Sequence, residues 1–347
     1  MSDAADSRYT QVQSLSQAVV AQVRAIWSGL DPANILASLQ GDQGAAILQA
    51  VIAGQLTAAQ GAQQFVMMAM AARNAAAPAL AALAPEAFAG IASDGRPLAT
   101  LLYTPAITTY TAYAAGMSQE AAALAGMNQM ARMVSTQITD ASRSATMVSM
   151  TTHRRCIAYV RVVKLPACGR CIILAGRQYS YSTGFQRHPK CDCGMDPIDI
   201  ERWDDVPSPK DLVAQMSPEE QRKRLGAAAV DALDKGADLF QVVNARRGME
   251  TMTVHGRTVQ ATKEGITRRG LAGARLITGN PDAKIAPRNG GDVRVVSEFT
   301  RRTATGRQQT VRLRGARAPR LMPEEILRLA DDREHQLRLL KKHGYIY

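Results

Sequence analysis

Cys168-Gly-Arg-Cys171 and His188-Pro-Lys-Cys191-Asp-Cys193 put five soft-metal donors into one short window. Four of the five cysteines and one of the five histidines in the 347-residue chain fall there. A C-x-x-C turn aims two thiolates at one ion, and Zn²⁺ takes about four nitrogen or sulfur donors in a tetrahedron. In an extended segment the side-chain period of two puts Cys191 and Cys193 on one face, and Pro189 biases His188 toward extended backbone. Five candidates for four places leave one spare. The spacing predicts Cys168 and Cys171, with two of His188, Cys191 and Cys193, around a structural zinc ion. The competing reading is a set of buried or disulfide-linked thiols. A catalytic zinc would keep an open water position beside a carboxylate base, and nothing in the sequence turns Asp192 or Asp196 toward the metal.

Other chemistry finds little support. The chain contains no G-x-S-x-G elbow, no H-E-x-x-H, no G-x-x-x-x-G-K-[ST] and no G-x-G-x-x-G opening a helix after a strand. His153 and Cys156 suggest a thiol-protease pair, but in an extended segment their spacing sends them to opposite faces. His255 and Asn244 lie downstream of the knuckle without the motif of a zinc-supported nuclease. Ser217 reads as a helix cap, with Pro218 in the first turn and Glu220 closing a capping box.

The string Ala167-Cys-Gly-Arg-Cys-Ile-Ile-Leu-Ala-Gly176, followed by Arg187-His-Pro-Lys-Cys-Asp-Cys193, resembles the C-x-x-C-x-x-L-x-G and H-P-x-C-x-C signature of phage Mu F-like minor head proteins. It is similar in particular to the minor capsid proteins of tailed phages of actinobacteria. The likeness continues through Met216-Ser-Pro-Glu-Glu-Gln-Arg-Lys-Arg-Leu225, Gly248 and Thr267-Arg-Arg-Gly270, covering roughly residues 150 to 275. Asp192 departs from it, since relatives often carry Arg there. The resemblance implies a virion component present in few copies, assembled in the bacterial host cytoplasm and held inside the head at the portal vertex. Its implied partners are the portal protein, other head proteins and packaged double-stranded DNA. It implies a structural rather than an enzymatic role; a capsid maturation protease fused to such a domain and a stand-alone DNA-binding protein are the alternatives.

The elements that must position these residues are mainly helical. Val12, Leu15, Val19, Val23, Ile26 and Leu30 recur at helical spacing, and Asp31-Pro32 signals a new start. Alanine dominates residues 45–92, favouring closely packed helices. The uncharged stretch from Gln43 to Ala72 carries too much Gln, Gly and Thr to span a membrane. A turn falls at Ser93-Asp-Gly-Arg-Pro97. A second stripe runs through Leu124, Met127, Ala131, Val134 and Ile138, and the methionines around it (Met117, Met127, Met130, Met133, Met147, Met150) read as core. Ile157 to Val163 has strand character and leads into the C-x-x-C turn. Tyr179 and Tyr181 are expected to share a face over the metal. Helices are expected from Ser217 to about Ala227, over Val230 to Val243, and from Pro323 to Gly344.

Charge is segregated. Residues 1–150 hold 6 basic and 8 acidic side chains, whereas Arg246 to Arg320 hold 17 and 5. A segment of that density suits phosphate backbones or an acidic partner. Within it, Val293 to Phe299 and Gln309 to Leu313 form a predicted β-ribbon carrying Arg301, Arg302, Arg307, Arg312 and Arg314. These are the candidate contacts to nucleic acid, by backbone neutralisation, since aromatics for stacking are nearly absent. The start of the chain lacks the basic and apolar regions of a secretory signal, so an intracellular chain without disulfides is expected. The predicted organisation is an Ala-rich helical docking domain (1–150), a zinc-knuckle α+β module with following helices (151–248), and a basic, turn-rich region with a short ribbon and terminal helix (249–347).

Overall fold

The computed structural model describes residues 2–185, 191, 193–199, 207–246, 249–254, 257–262, 293–302, 308–316, 320–321, 323–343 and 346. It is mainly helical, with small antiparallel sheets. Contacts divide the chain into two units, Met1–Lys164 with Leu174–Ser208, and Leu165–Ile173 with Pro209–Tyr347.

In the first unit, α1 (Asp3–Trp27) opens at Ser2, whose hydroxyl accepts the Ala5 N–H, with Asp3 and Asp6 in its first turn and Arg24 in its last. Both charge placements favour the helix dipole. Its apolar stripe is the expected one: Val12, Val19 and Val23 are buried, and Leu15 and Ile26 are half-buried against the same core. Trp27 completes it, donating its indole N–H to the Ala123 carbonyl at 3.2 Å. After α2 (Ile35–Gln40), the uncharged stretch forms α3 (Asp42–Gln60) and α4 (Ala62–Ala71). Gly54 lets α3 approach its neighbours, since a Cβ there would come within 2.9 Å of Val19 Cγ2 and closer still to Ile138 Cδ1. The helical run stops well before Ala92. Asn74 takes a φ of 59°, and residues 85–88 make only a 3₁₀ turn, because Pro78 and Pro85 cannot continue an α-helix.

The loop that follows is tied down by buried glutamines. Gln55 binds Gly90 N–H and Ile91 carbonyl, and Gln137 accepts from Ser93 N–H. Next come α5 (Leu98–Leu102), α6 (Thr104–Ala114) and the 34-residue α7 (Gln119–Thr152), capped by Ser118. α7 packs against α1, α3, α4 and α6. Its stripe of Met130, Ala131, Val134 and Ile138 is buried, and Met127 and Met133 pack on the core, so these methionines fill space as expected. Leu124 and Met117 are exceptions and are exposed.

Beyond α7 the chain enters a three-stranded sheet of order β2-β1-β3, built from β1 (Ala158–Val162), β2 (Gln178–Ser180) and β3 (Gly194–Ile198). Both neighbours run antiparallel to β1, with Tyr159 opposite Tyr179 and Arg161 opposite Met195. Every residue of β1 is buried, as a central strand covered on both faces requires.

The second unit contains α8 (Gly169–Ile172), α9 (Pro209–Gln215), α10 (Pro218–Leu225), α11 (Ala227–Asp234) and α12 (Leu239–Ala245). The capping box at Ser217 and Glu220 forms as expected. The single helix expected over Val230 to Val243 is two helices instead. Gly236 at φ 86° ends the first, and the Asp238 carboxylate caps the second by accepting the Gln241 N–H. Strands β4 (Met249–Val254), β5 (Arg257–Thr262) and β8 (Arg320–Leu321) make one sheet, and β6 (Val293–Arg302) with β7 (Gln308–Ala316) makes an antiparallel ribbon. The terminal helix is also divided, into α13 (Pro323–Leu329) and α14 (Arg333–Lys342), because Asp332 caps a new start.

Candidate metal centre

The two cysteines of β3's entry segment sit where the helical core meets the small sheet. Cys191 and Cys193 are 4% and 1% exposed. Arg143, on the last third of α7, fixes the backbone that carries them: its Nε donates to the Cys193 carbonyl at 2.8 Å and its Nη2 to the Cys191 carbonyl. The same guanidinium pairs with Asp140 one helical turn earlier at 2.8 Å, and both side chains are buried. A buried ion pair is tolerable only when its remaining donors are also satisfied, and the two carbonyls satisfy them.

From the other side comes Arg161 on β1, 2% exposed, with its Nη2 3.3 Å from Cys193 Sγ and 3.6 Å from Cys191 Sγ. Its guanidinium carbon lies 4.2 Å from the centre of the Phe185 ring, within the range of a cation–π contact. Burial works against the charged form, but the facing Cys193 and Cys191 sulfurs, together with a hydrogen bond to the Tyr179 side chain, more than offset it and hold the arginine above its ordinary value. Tyr159 and Tyr179 stack at 5.4 Å between centroids, and Phe185 tilts against both. Tyr179 thus packs with Tyr159 and Phe185 rather than with Tyr181, which lies in the turn after β2.

Cys171, on α8 in the connection from β1 to β2, supplies a third sulfur. The Sγ atoms of Cys171, Cys191 and Cys193 all lie within 4.8 Å of one another, and all three side chains are buried. Three thiolates around a zinc ion at about 2.3 Å stand roughly 3.8 Å apart in a tetrahedron, so this donor set fits a soft divalent ion. Cys168 stands outside that group. Its side chain caps α8, the Sγ accepting the Cys171 N–H at 3.4 Å. His188 and Asp192 lie outside the described residues. Asp196 does not face the cluster as a base. It is fully buried in β3 and accepts from Ser2 N–H and Ser2 Oγ, both at 2.8 Å, and from Arg73 Nη2 at 3.1 Å.

The pair considered for protease chemistry has the wrong geometry. His153 closes α7, buried, with neither ring nitrogen hydrogen-bonded. Cys156 donates its thiol to the Ala158 carbonyl at 3.4 Å, and burial pushes that thiol up to about 12. A nucleophilic cysteine needs the opposite, a lowered value and a base in contact. Asn244 lies on α12, and His255 is outside the described residues.

Of the arginines expected to meet nucleic acid, Arg301 and Arg302 lie on β6 and Arg312 and Arg314 on β7; Arg307 is outside the described residues. The ribbon pairs Arg301 with Gln309 and Arg312 with Glu298 across its strands.

Sequence reasoning missed Arg143, Arg161 and Phe185. One signal was available: an arginine inside the otherwise apolar Ala158-Tyr-Val-Arg-Val162 run, a position where a charge needs a dedicated partner.

A family model described as VG15 protein matches residues 1–219, which include all of the cysteine cluster. No curated protein and no solved structure matches the chain.

Proposed function

The chain belongs to the VG15 protein family, a viral protein family, and from that premise we propose that it is a structural minor capsid protein of a tailed phage. In this reading it sits at the portal vertex inside the head and acts in head assembly or in DNA packaging and ejection. The family match carries the proposal, because it spans both the helical first unit and the thiol cluster. The Mu F-like signature around Cys168 to Cys193 supports the same role. No helix among the described residues is long and apolar enough to cross a membrane.

A structural zinc completes the reading. Cys171, Cys191 and Cys193 would hold it, and its bonds would cross-link segments too short to bury much apolar surface themselves. We read the chain as non-catalytic, in keeping with the unconnected His153 and the unreactive Cys156.

The test is association and metal content. The full-length protein should co-migrate with portal oligomers of its own phage and carry one zinc per chain that is lost in Cys191→Ser. Absence from portal complexes under assembly conditions would end the portal assignment, and a folded wild type without metal would end the zinc assignment. A second reading, non-specific DNA binding, rests on the 17 basic against 5 acidic residues between Arg246 and Arg320. It predicts binding to any duplex that weakens steeply with salt, and no binding in 50 mM salt would remove it.

A further inference from the structure

Arg161 is a buried cation whose place in the fold the zinc reading alone does not require. It lies inside β1, 2% exposed, and among the described residues no carboxylate pairs with it. A guanidinium does not lose its proton in a protein, and an uncompensated buried charge is strongly unfavourable. Facing it are two sulfurs, at 3.3 and 3.6 Å, the Tyr179 hydroxyl as a hydrogen-bond partner, and the Phe185 ring at 4.2 Å; of these only the sulfurs can supply a full negative charge near neutral pH. A neutral thiol is a weak acceptor and offers no charge. A metal-bound thiolate offers both a charge and lone pairs.

We propose that Arg161 is the counter-charge and hydrogen-bond donor of a thiolate-held divalent metal centre, acting on the metal through Cys191 and Cys193 without touching it. This inference rests on the zinc reading and deepens it. Three thiolates around a divalent ion leave one net negative charge, which one guanidinium neutralises if the fourth donor is neutral. The arrangement therefore favours a centre of three sulfurs and one neutral ligand. Cys168 accepts the Cys171 N–H through its sulfur.

The two N–H···S contacts have a chemical consequence. Each draws electron density from a sulfur lone pair, so Cys191 and Cys193 become poorer nucleophiles and poorer leaving ligands. Arg161 thereby protects the centre against alkylation, oxidation and loss of metal.

The experiment uses the full chain loaded with zinc, with metal content measured first. If the wild type holds no zinc, the metal reading itself fails, and this inference with it. If it holds zinc, chelator competition is compared among wild type, Arg161→Gln and Arg161→Lys. Removing an outer partner of this kind costs about 10–100-fold in metal affinity, expected for Arg161→Gln, with a smaller loss for Arg161→Lys, which keeps the charge but not the fork. Iodoacetamide should label zinc-bound Cys191 and Cys193 faster in both variants. Unchanged affinity and unchanged labelling in folded variants would overturn the proposal while leaving the zinc site standing. Should the variants fail to fold, the wild type decides: loaded with ¹¹³Cd²⁺, it must show a scalar coupling from the metal to the Arg161 Nη protons across the N–H···S bonds, and an assigned Arg161 without that coupling refutes the contact.

Discussion

Arg143 Nε donates to the Cys193 carbonyl oxygen at 2.8 Å across 50 residues of sequence. That one bond couples the long helix α7 to the strand carrying two sulfurs of the cluster, so the geometry of the thiols depends on the helical core. Replacing Arg143 with Met would remove its bonds to both cysteine carbonyls and break its buried ion pair with Asp140. Breaking a buried pair from one side costs about 3–5 kcal/mol. Urea denaturation of the variant should show a loss of that size, and a change below about 1 kcal/mol would mean the contacts are incidental.

Asp196 performs the same service for the start of α1. Its carboxylate is fully buried and holds Ser2 and Arg73 together. Asp196→Asn keeps the shape and removes the charge, so the Arg73–Asp196 ion pair is lost. A loss of about 2–4 kcal/mol is expected on the same reasoning, with faster amide exchange in the first turns of α1 as the local signature.

Gly126 marks a crossing of α6 and α7 where an added Cβ would meet the Pro105 carbonyl at 2.9 Å and Trp27 at 3.0 Å. Alanine is the better helix former by about 1 kcal/mol on an exposed surface. Here overpacking should win, at about 1–3 kcal/mol. Gly126→Ala is therefore expected to lower the melting temperature, and a rise would show that α6 can move aside.

His153 predicts a pH dependence. Burial, with the nearby Arg155 charge adding to it, holds the imidazole below its ordinary value of 6.5. The folded state therefore prefers the neutral ring, and the unfolded chain takes up the proton first. Stability from this residue is complete above pH 6.5, declines as the pH falls through that value, and levels off below the folded value. In His153→Gln the decline that sets in as the pH falls through about 6.5 should shrink; an unchanged slope would assign it to other groups.

Ser217 offers a control that belongs to no thiol contact. Its hydroxyl accepts the Glu220 N–H at 3.2 Å and the Glu220 carboxylate returns to the Ser217 N–H at 3.1 Å. Ser217→Ala should cost about 1 kcal/mol and leave the metal content unchanged. Loss of metal in this variant would mean that cluster and helix unfold together.

The helices were legible wherever their signals are local. The stripe Val12, Val19, Val23 and the capping box at Ser217 each depend on residues a turn apart, and both appear in the structure. Two long helices of the sequence reading are each divided because single residues outweigh propensity: Gly236 in the left-handed region ends one helix, and Asp332 as a cap starts another. The metal window was legible as a window, though not as a ligand set. Spacing put Cys168 and Cys171 on equal footing, whereas the group within 4.8 Å among the described residues is Cys171, Cys191 and Cys193.

The sequence by itself determined the helical first unit, the confinement of soft donors to residues 168–193 and the separation of charge, because periodicity, composition and spacing act over short stretches of chain. Only the tertiary structure decided what surrounds the sulfurs. Arg143 lies 48 residues before Cys191 and Arg161 lies 30 before it, and nothing local relates them. Burial brings them together, since a guanidinium taken from water must find acceptors or charges. In this fold the backbone and side chains of the same two cysteines are what it finds.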